Sequence, residues 1–135
     1  MSTEPESNPA PGYARDPDHR VELVRGPRRV SVYFAGALLA DSGNVLTVEE
    51  TGYPPVHYFP PEDVRMSLLQ PSEHRTYCPF KGTAHYWSAL VADRVAVNAA
   101  WSYRTPYDEV ADLRERVAFY GDRVKIVEAG DGAGG

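Results

Sequence analysis

Apolar and polar positions along this chain alternate over short stretches far more often than they recur at helical spacing. Residues 29–34 (Arg-Val-Ser-Val-Tyr-Phe) put Val30, Val32 and Phe34 on one side, the period of two expected of a half-buried strand. Gly36 predicts a turn into Leu38 and Leu39, and Asp41, Ser42, Gly43 and Asn44 predict the next. Residues 45–49 alternate again, with Leu46 and Val48 opposite Val45, Thr47 and Glu49. Pro54 and Pro55 break the chain before a short aromatic strand at 56–59, which Pro60 and Pro61 end. Residues 86–91 and 95–97 flank a tight turn at Asp93 and together predict a hairpin.

One helix is signalled. Thr105 offers a cap, Pro106 takes the first helical position, and Asp108 stands where the positive end of the helix dipole favours a carboxylate. Val110, Leu113 and Val117 follow at i, i+3 and i+7, while Asp112 and Arg116 sit four apart on another face. Gly121 ends the helix, and residues 124–127 predict a closing strand. The expected architecture is therefore mainly β or α+β, with one C-terminal helix covering part of the sheet. Residues 1–20 are rich in Pro, Ser, Glu and Asp and nearly empty of apolar side chains, so a disordered N-terminal tail is expected there. The glycine-rich residues 129–135 are expected to form a second, flexible tail. Between them, residues 21–128 amount to one domain, since about 110 residues suffice for a single core.

Composition narrows the partners. The apolar runs, such as residues 35–40, are too short to span a bilayer, and the opening residues lack the basic-then-apolar pattern of a secretory signal. A cytoplasmic protein with no membrane partner is expected. The net charge is −5, and the one basic cluster (Arg25, Arg28, Arg29) precedes a strand, which argues against a nucleic-acid partner. The single cysteine, Cys78, excludes an intramolecular disulfide and a Cys-x-x-Cys zinc pair. The four histidines (His19, His57, His74, His85) are scattered, so no metal site and no cofactor are expected.

Three stretches join aromatic residues to Pro or Gly and to a few polar groups: residues 50–59, 76–82 and 99–103. Rigid aromatic walls with sparse polar groups are the usual make-up of a ligand pocket. Trp101 and Tyr103 share one face of a strand and are candidates to line it together. Tyr58 and Trp87 are the other aromatic candidates, although the neighbours of Trp87, Ala89 and Val91, have the character of core. Glu50 follows a strand and precedes Gly52, where a carboxylate can accept ligand hydrogen bonds or act as a general base. Lys81 precedes Gly82, so the backbone can approach a ligand while the ammonium supplies a point charge for phosphate or carboxylate. Cys78 is a candidate nucleophile, since a nearby cation favours the thiolate. His85, four residues after Lys81, is within reach of the same place. For each of these the alternative is an ordinary role in core, turn or surface.

In these stretches the sequence resembles the family known as domain of unknown function 427, which also carries a nucleotidyltransferase-like label. The matching text includes Glu50-Thr51-Gly52, Tyr58-Phe59-Pro60, Thr76-Tyr77-Cys78-Pro79-Phe80-Lys81-Gly82 and Ala99-Ala100-Trp101-Ser102-Tyr103, in family order across residues 28 to 128. The resemblance implies a β-tent, two antiparallel sheets leaning together and pinched at one edge. The wider fold group includes the thalidomide-binding domain of cereblon, Yippee proteins and methionine sulfoxide reductase B. Several of its members close the pinch with zinc held by Cys-x-x-Cys pairs; this chain has none of those pairs, which implies a zinc-free tent closed by hydrophobic packing. An aromatic cage near the sheet junction is implied as well, with Trp101, Tyr103, Trp87 and Tyr58 as its members here.

The resulting expectation is a domain that binds a small molecule in an aromatic-lined pocket between two sheets, with Glu50, Tyr58, Cys78, Lys81, Trp87, Trp101 and Tyr103 around it. The alternative is an enzyme acting on a nucleotide or another small phosphorylated substrate, with Glu50, Cys78 and Lys81 as catalytic candidates. Nucleotidyl transfer requires carboxylates around Mg²⁺, which Glu49, Glu50, Asp41 and Asp63 supply only if folding gathers them. A third reading, a protein-interaction module presenting exposed Tyr and Pro, predicts flat rather than recessed aromatics.

Overall fold

Alternation becomes strand wherever one set of side chains finds a core. Val30 and Val32 are fully buried while Ser31 and Tyr33 point away, and the same two-residue rhythm places Leu39 inside on the following strand. The computed structural model describes residues 7–129. Its strands are β1 (Val21–Arg25), β2 (Arg29–Phe34), β3 (Ala37–Ser42), β4 (Leu46–Glu50), β5 (Val56–Tyr58), β6 (Leu69–Cys78), β7 (Gly82–Val91), β8 (Arg94–Tyr103), β9 (Val117–Phe119) and β10 (Lys125–Ala129). The fold is mainly β, as expected. All named pairings are antiparallel, and the expected β7–β8 hairpin is present.

Three sheets form rather than two, in the orders β1-β4-β5, β10-β2-β3 and β6-β7-β8-β9. The first and third meet at one residue pair. The Phe59 amide donates to the Val117 carbonyl at 2.8 Å, and the Val117 amide donates back to Phe59 at 2.9 Å. The second sheet is tied in by a bridge between Ala40 and Val64 and by the Arg65 amide on the Leu39 carbonyl at 2.8 Å.

The β6–β9 sheet separates two apolar clusters because its residues alternate between faces. Ala89, Ala100, Val117 and Phe119 pack with Val30, Val32 and Leu39 in one cluster. Ala84, Tyr86, Trp101, Tyr103 and Ala118 pack with Val48, Tyr58, Val110 and Leu113 in the other. The second cluster forms the floor of the site described below.

The expected C-terminal helix is not formed. Residues Asp108–Leu113 make a short 3₁₀ run, interrupted at Val110 (φ −127°, ψ 31°), and Val117 belongs to β9. Glu115 takes a positive φ of 63° and donates its amide to the Tyr103 carbonyl at 3.0 Å, which draws the chain back onto β8 before a longer helix can propagate. The buried positions at 110, 113 and 117 are real, but a turn and a strand supply them. The carboxylates at the start of this run do not cap it: Asp108 and Glu109 accept the Asn8 and Ala10 amides at 2.6 and 2.8 Å.

Those two bonds correct the expected tail as well. Residues 7–20 are an arm packed on the domain rather than a disordered segment. Ala10 is buried, and a single helical turn at Gly12–Arg15 lies so close to Phe80 that a Cβ on Gly12 would meet the ring at 2.6 Å. The Gly12 amide donates to the Pro79 carbonyl at 3.0 Å. Composition suggested too little apolar surface to order this segment, but backbone bonds to the rest of the domain and one close ring contact suffice. The expectations for residues 1–6 and 130–135 lie outside the described residues. Among the described residues no helix is long and apolar enough to cross a membrane.

Candidate functional site

The chain turns sharply between β6 and β7. The Lys81 amide donates to the Cys78 carbonyl at 3.2 Å, and Gly82 leaves the turn at φ +121°, where a Cβ would stand 3.3 Å from the Thr105 carbonyl oxygen. Glycine is required there on both counts, positive φ and close approach. The turn points the Lys81 side chain inward, with the residue only 7% exposed. Its ammonium donates to a Glu50 oxygen at the end of β4 and lies 3.8 Å from the Cys78 sulfur. His19, carried by the arm, places Nε2 2.8 Å from the other Glu50 oxygen and stacks on Phe80 with ring centroids 4.0 Å apart. Three ionisable side chains, each about nine-tenths buried, thus form one hydrogen-bonded cluster. Burying such charges costs several kcal/mol per ion before pairing offsets it, so their presence is no economical way to hold a fold together.

Opposite this cluster stands a wall of rings. Trp101 donates its indole N–H to the Tyr58 hydroxyl at 3.1 Å, with the rings edge to face. Tyr103 stands beside Tyr58 with ring centroids 6.3 Å apart, and burial raises both phenols above their ordinary pKa. The Tyr86 hydroxyl reaches Thr76 Oγ1 at 2.9 Å and the Tyr120 hydroxyl at 3.1 Å, while Tyr120 packs on Trp101 at 4.4 Å. Burial first, and the Tyr86 hydrogen bond second, push Tyr120 up to about 12. Each of Tyr58, Tyr86, Trp101 and Tyr120 is therefore held by another ring and by a hydrogen bond, and the wall is preorganised. At one end His57 joins two sheets, bonding Thr47 at 2.7 Å and Glu128 of β10 at 2.9 Å.

Cluster and wall line a cavity of about 840 Å³, together with Tyr53, Pro54, Pro55 and Tyr77. Of the residues singled out from sequence, Glu50, Tyr58, Cys78, Lys81, Trp101 and Tyr103 all line it. Trp87 does not. It points to the opposite face of β7 and packs on the first apolar cluster, because strand alternation assigns it to the side away from Tyr86. His85 shares that opposite parity and also lies outside the cavity; its Nδ1 is buried without a hydrogen-bond partner, and burial lowers its pKa, assisted by Arg75 and Arg104. Sequence reading missed His19, His57, Phe80, Tyr86 and Tyr120. Tyr86 pairs across the strands with Trp101, beyond the predicted hairpin and past a register shift between Trp87 and Ala89. His19 had no signal, because its segment reads as a tail.

The carboxylates a Mg²⁺ site would need are spread apart. Asp41 is held by Arg29, which keeps its carboxyl below the usual range, Asp63 accepts from Ser42 at 2.6 Å, and Glu50 is bonded by Lys81 and His19. Among the described residues no three His, Cys, Asp or Glu side chains are grouped to hold a metal ion. The donor set does not fit a divalent cation.

The fold and the site together define an antiparallel β domain with a ring-walled cavity and a buried Glu–Lys–His cluster on its rim. Residues 22–130 match the family model described as domain of unknown function DUF427, under the name NTP_transf_9, and the chain belongs to that family. The match begins past the arm, so His19 is contributed from outside it. Among curated proteins none matches the chain.

Proposed function

We propose that this domain binds a small molecule in the cavity, with the ligand's flat apolar part on the rings of Tyr58, Tyr86, Trp101 and Tyr120 and its polar part at Glu50, Lys81 and His19. The observation that carries this reading is the juxtaposition of a preorganised ring wall with a buried ionic cluster across one open cavity of about 840 Å³, a size suited to a drug-sized ligand. The fold is read here as a β-tent. The Phe59–Val117 pair supports this, since it joins the first and third sheets into one surface leaning on the β10-β2-β3 sheet. The nucleotidyltransferase-like reading draws support only from the family's name, because the carboxylates around the cavity do not form a Mg²⁺ site.

Intrinsic fluorescence tests the proposal. Trp101 borders the cavity and Trp87 does not, so ring-bearing ligands should quench or shift the emission of a Trp87→Phe variant and leave that of Trp101→Phe unchanged. Equal responses in both variants would place the ligand elsewhere.

A further inference from the structure

The two walls of the cavity differ in what they leave free. Polar atoms of the ring wall bond one another: Trp101 with Tyr58, and Tyr86 with Thr76 and Tyr120. That side offers ring faces. The carboxylates lining the cavity already accept hydrogen bonds from within, Glu50 from Lys81 and His19 and Glu128 from His57. Among the described residues, neither carboxylate that lines the cavity is without a hydrogen-bond donor. The cavity's spare capacity is donor capacity. An ammonium carries three protons, and Glu50 and Cys78 engage two of those on Lys81. His19 adds a positive charge beside it whenever its ring is protonated.

We propose that the ligand is an aromatic anion, a flat ring carrying a carboxylate or phosphate, with the ring lying on Trp101 and Tyr120 and the anionic group received by Lys81 with His19 beside it. The inference rests on the binding reading above and names its ligand class. The groups facing His19 are Glu50 from β4, Lys81 and Cys78 from the turn, and Asp16 from the arm, whose carboxylate lies 3.8 Å from Nδ1 and is mostly exposed. With Glu50 and Lys81 cancelling, protonated His19 gives the cluster a net positive charge, which Asp16 offsets only partly through water. Anion binding favours protonated His19.

Four naphthalene probes of matched shape test this by titration calorimetry on the full chain: 2-naphthoate, 2-naphthyl phosphate, neutral 2-naphthamide and cationic 2-naphthylmethylammonium. The two anions should bind about tenfold or more tighter than the amide, the margin of one charge-assisted hydrogen bond, and the ammonium should bind weakest. Comparison of the carboxylate with the phosphate distinguishes the two sources of charge, and preference for either sustains the proposal. Lys81→Met should erase the preference for anions. The double variant E50Q/K81M should erase it too, without leaving Glu50 stranded, which keeps the test sound if the single variant unfolds. H19Q should weaken naphthoate binding several-fold and leave naphthamide binding unchanged. A preference for anions unchanged in H19Q would remove His19 from the site. If the amide or ammonium binds as tightly as the anions, or the preference survives in the double variant, the charge assignment is overturned. If none of the four probes binds, the cavity reading falls, and this inference falls with it.

Discussion

Lys81 and Glu50 depend on each other as buried opposite charges depend on their partners anywhere. Removing one strands the other. Lys81→Met should cost about 3 kcal/mol in urea denaturation, whereas E50Q/K81M should cost clearly less, because the unpaired charge is then absent. A double variant no more stable than the single one would mean that the pair is not desolvated. Gly82→Ala forces a side chain into positive φ against the Thr105 carbonyl and should cost about 1–3 kcal/mol, read in the same experiment. Trp101→Ala should cost about 3–5 kcal/mol, since the residue is 9% exposed and belongs to the second apolar cluster. At this scale the sequence was informative where residue type and strand parity agree. Glu50, Lys81 and Cys78 stood out as polar groups among aromatics, and Trp101 with Tyr103 followed from alternation. Trp87 was misplaced because it sits one residue from the cavity-facing Tyr86, so every side chain of its parity serves the other face.

At the scale of elements, the arm and the 108–113 turn support each other. The carboxylates of Asp108 and Glu109 hold the arm's amides, and the arm in turn presents His19 to Glu50. Deleting residues 1–20 should lower the melting temperature by about 4 °C or more in scanning calorimetry, as expected for a loss near 1 kcal/mol in a domain of this size. An unchanged melting temperature would show that the arm adds no stability. The segment was illegible because its order comes from backbone bonds and one glycine-to-ring contact, neither of which leaves an apolar periodicity. The helix expectation failed for the opposite reason. Val110, Leu113 and Val117 do carry a helical period, but a 3₁₀ run followed by a strand reproduces the same buried positions. Strand β6 was hidden because most of its residues are exposed and Pro71 interrupts it, as a sheet edge tolerates. Strand β2, with Val30 and Val32 buried on one face, was plain, whereas Asp41 and Ser42, expected in a turn, belong to β3.

For the whole molecule, the phenols predict how stability varies with pH. Tyr58, Tyr103 and Tyr120 are all raised, so the folded state favours their protonated form. Their contribution is fully present below the ordinary tyrosine value of about 10 and is lost as pH rises through the folded values. The guanidine midpoint should therefore drop above about pH 10, with absorbance showing part of the phenolate forming only as the chain unfolds. Simple ionisation of all nine tyrosines before unfolding would contradict this.

The reciprocal bond between Phe59 and Val117 has its own corollary. Any parting of the first and third sheets must break this pair together with the Trp101–Tyr58 and Lys81–Glu50 bonds that also join the two sides. The amides of Phe59 and Val117 should exchange with solvent deuterium together, and their common rate measures how often the hollow gapes wide enough to admit a guest.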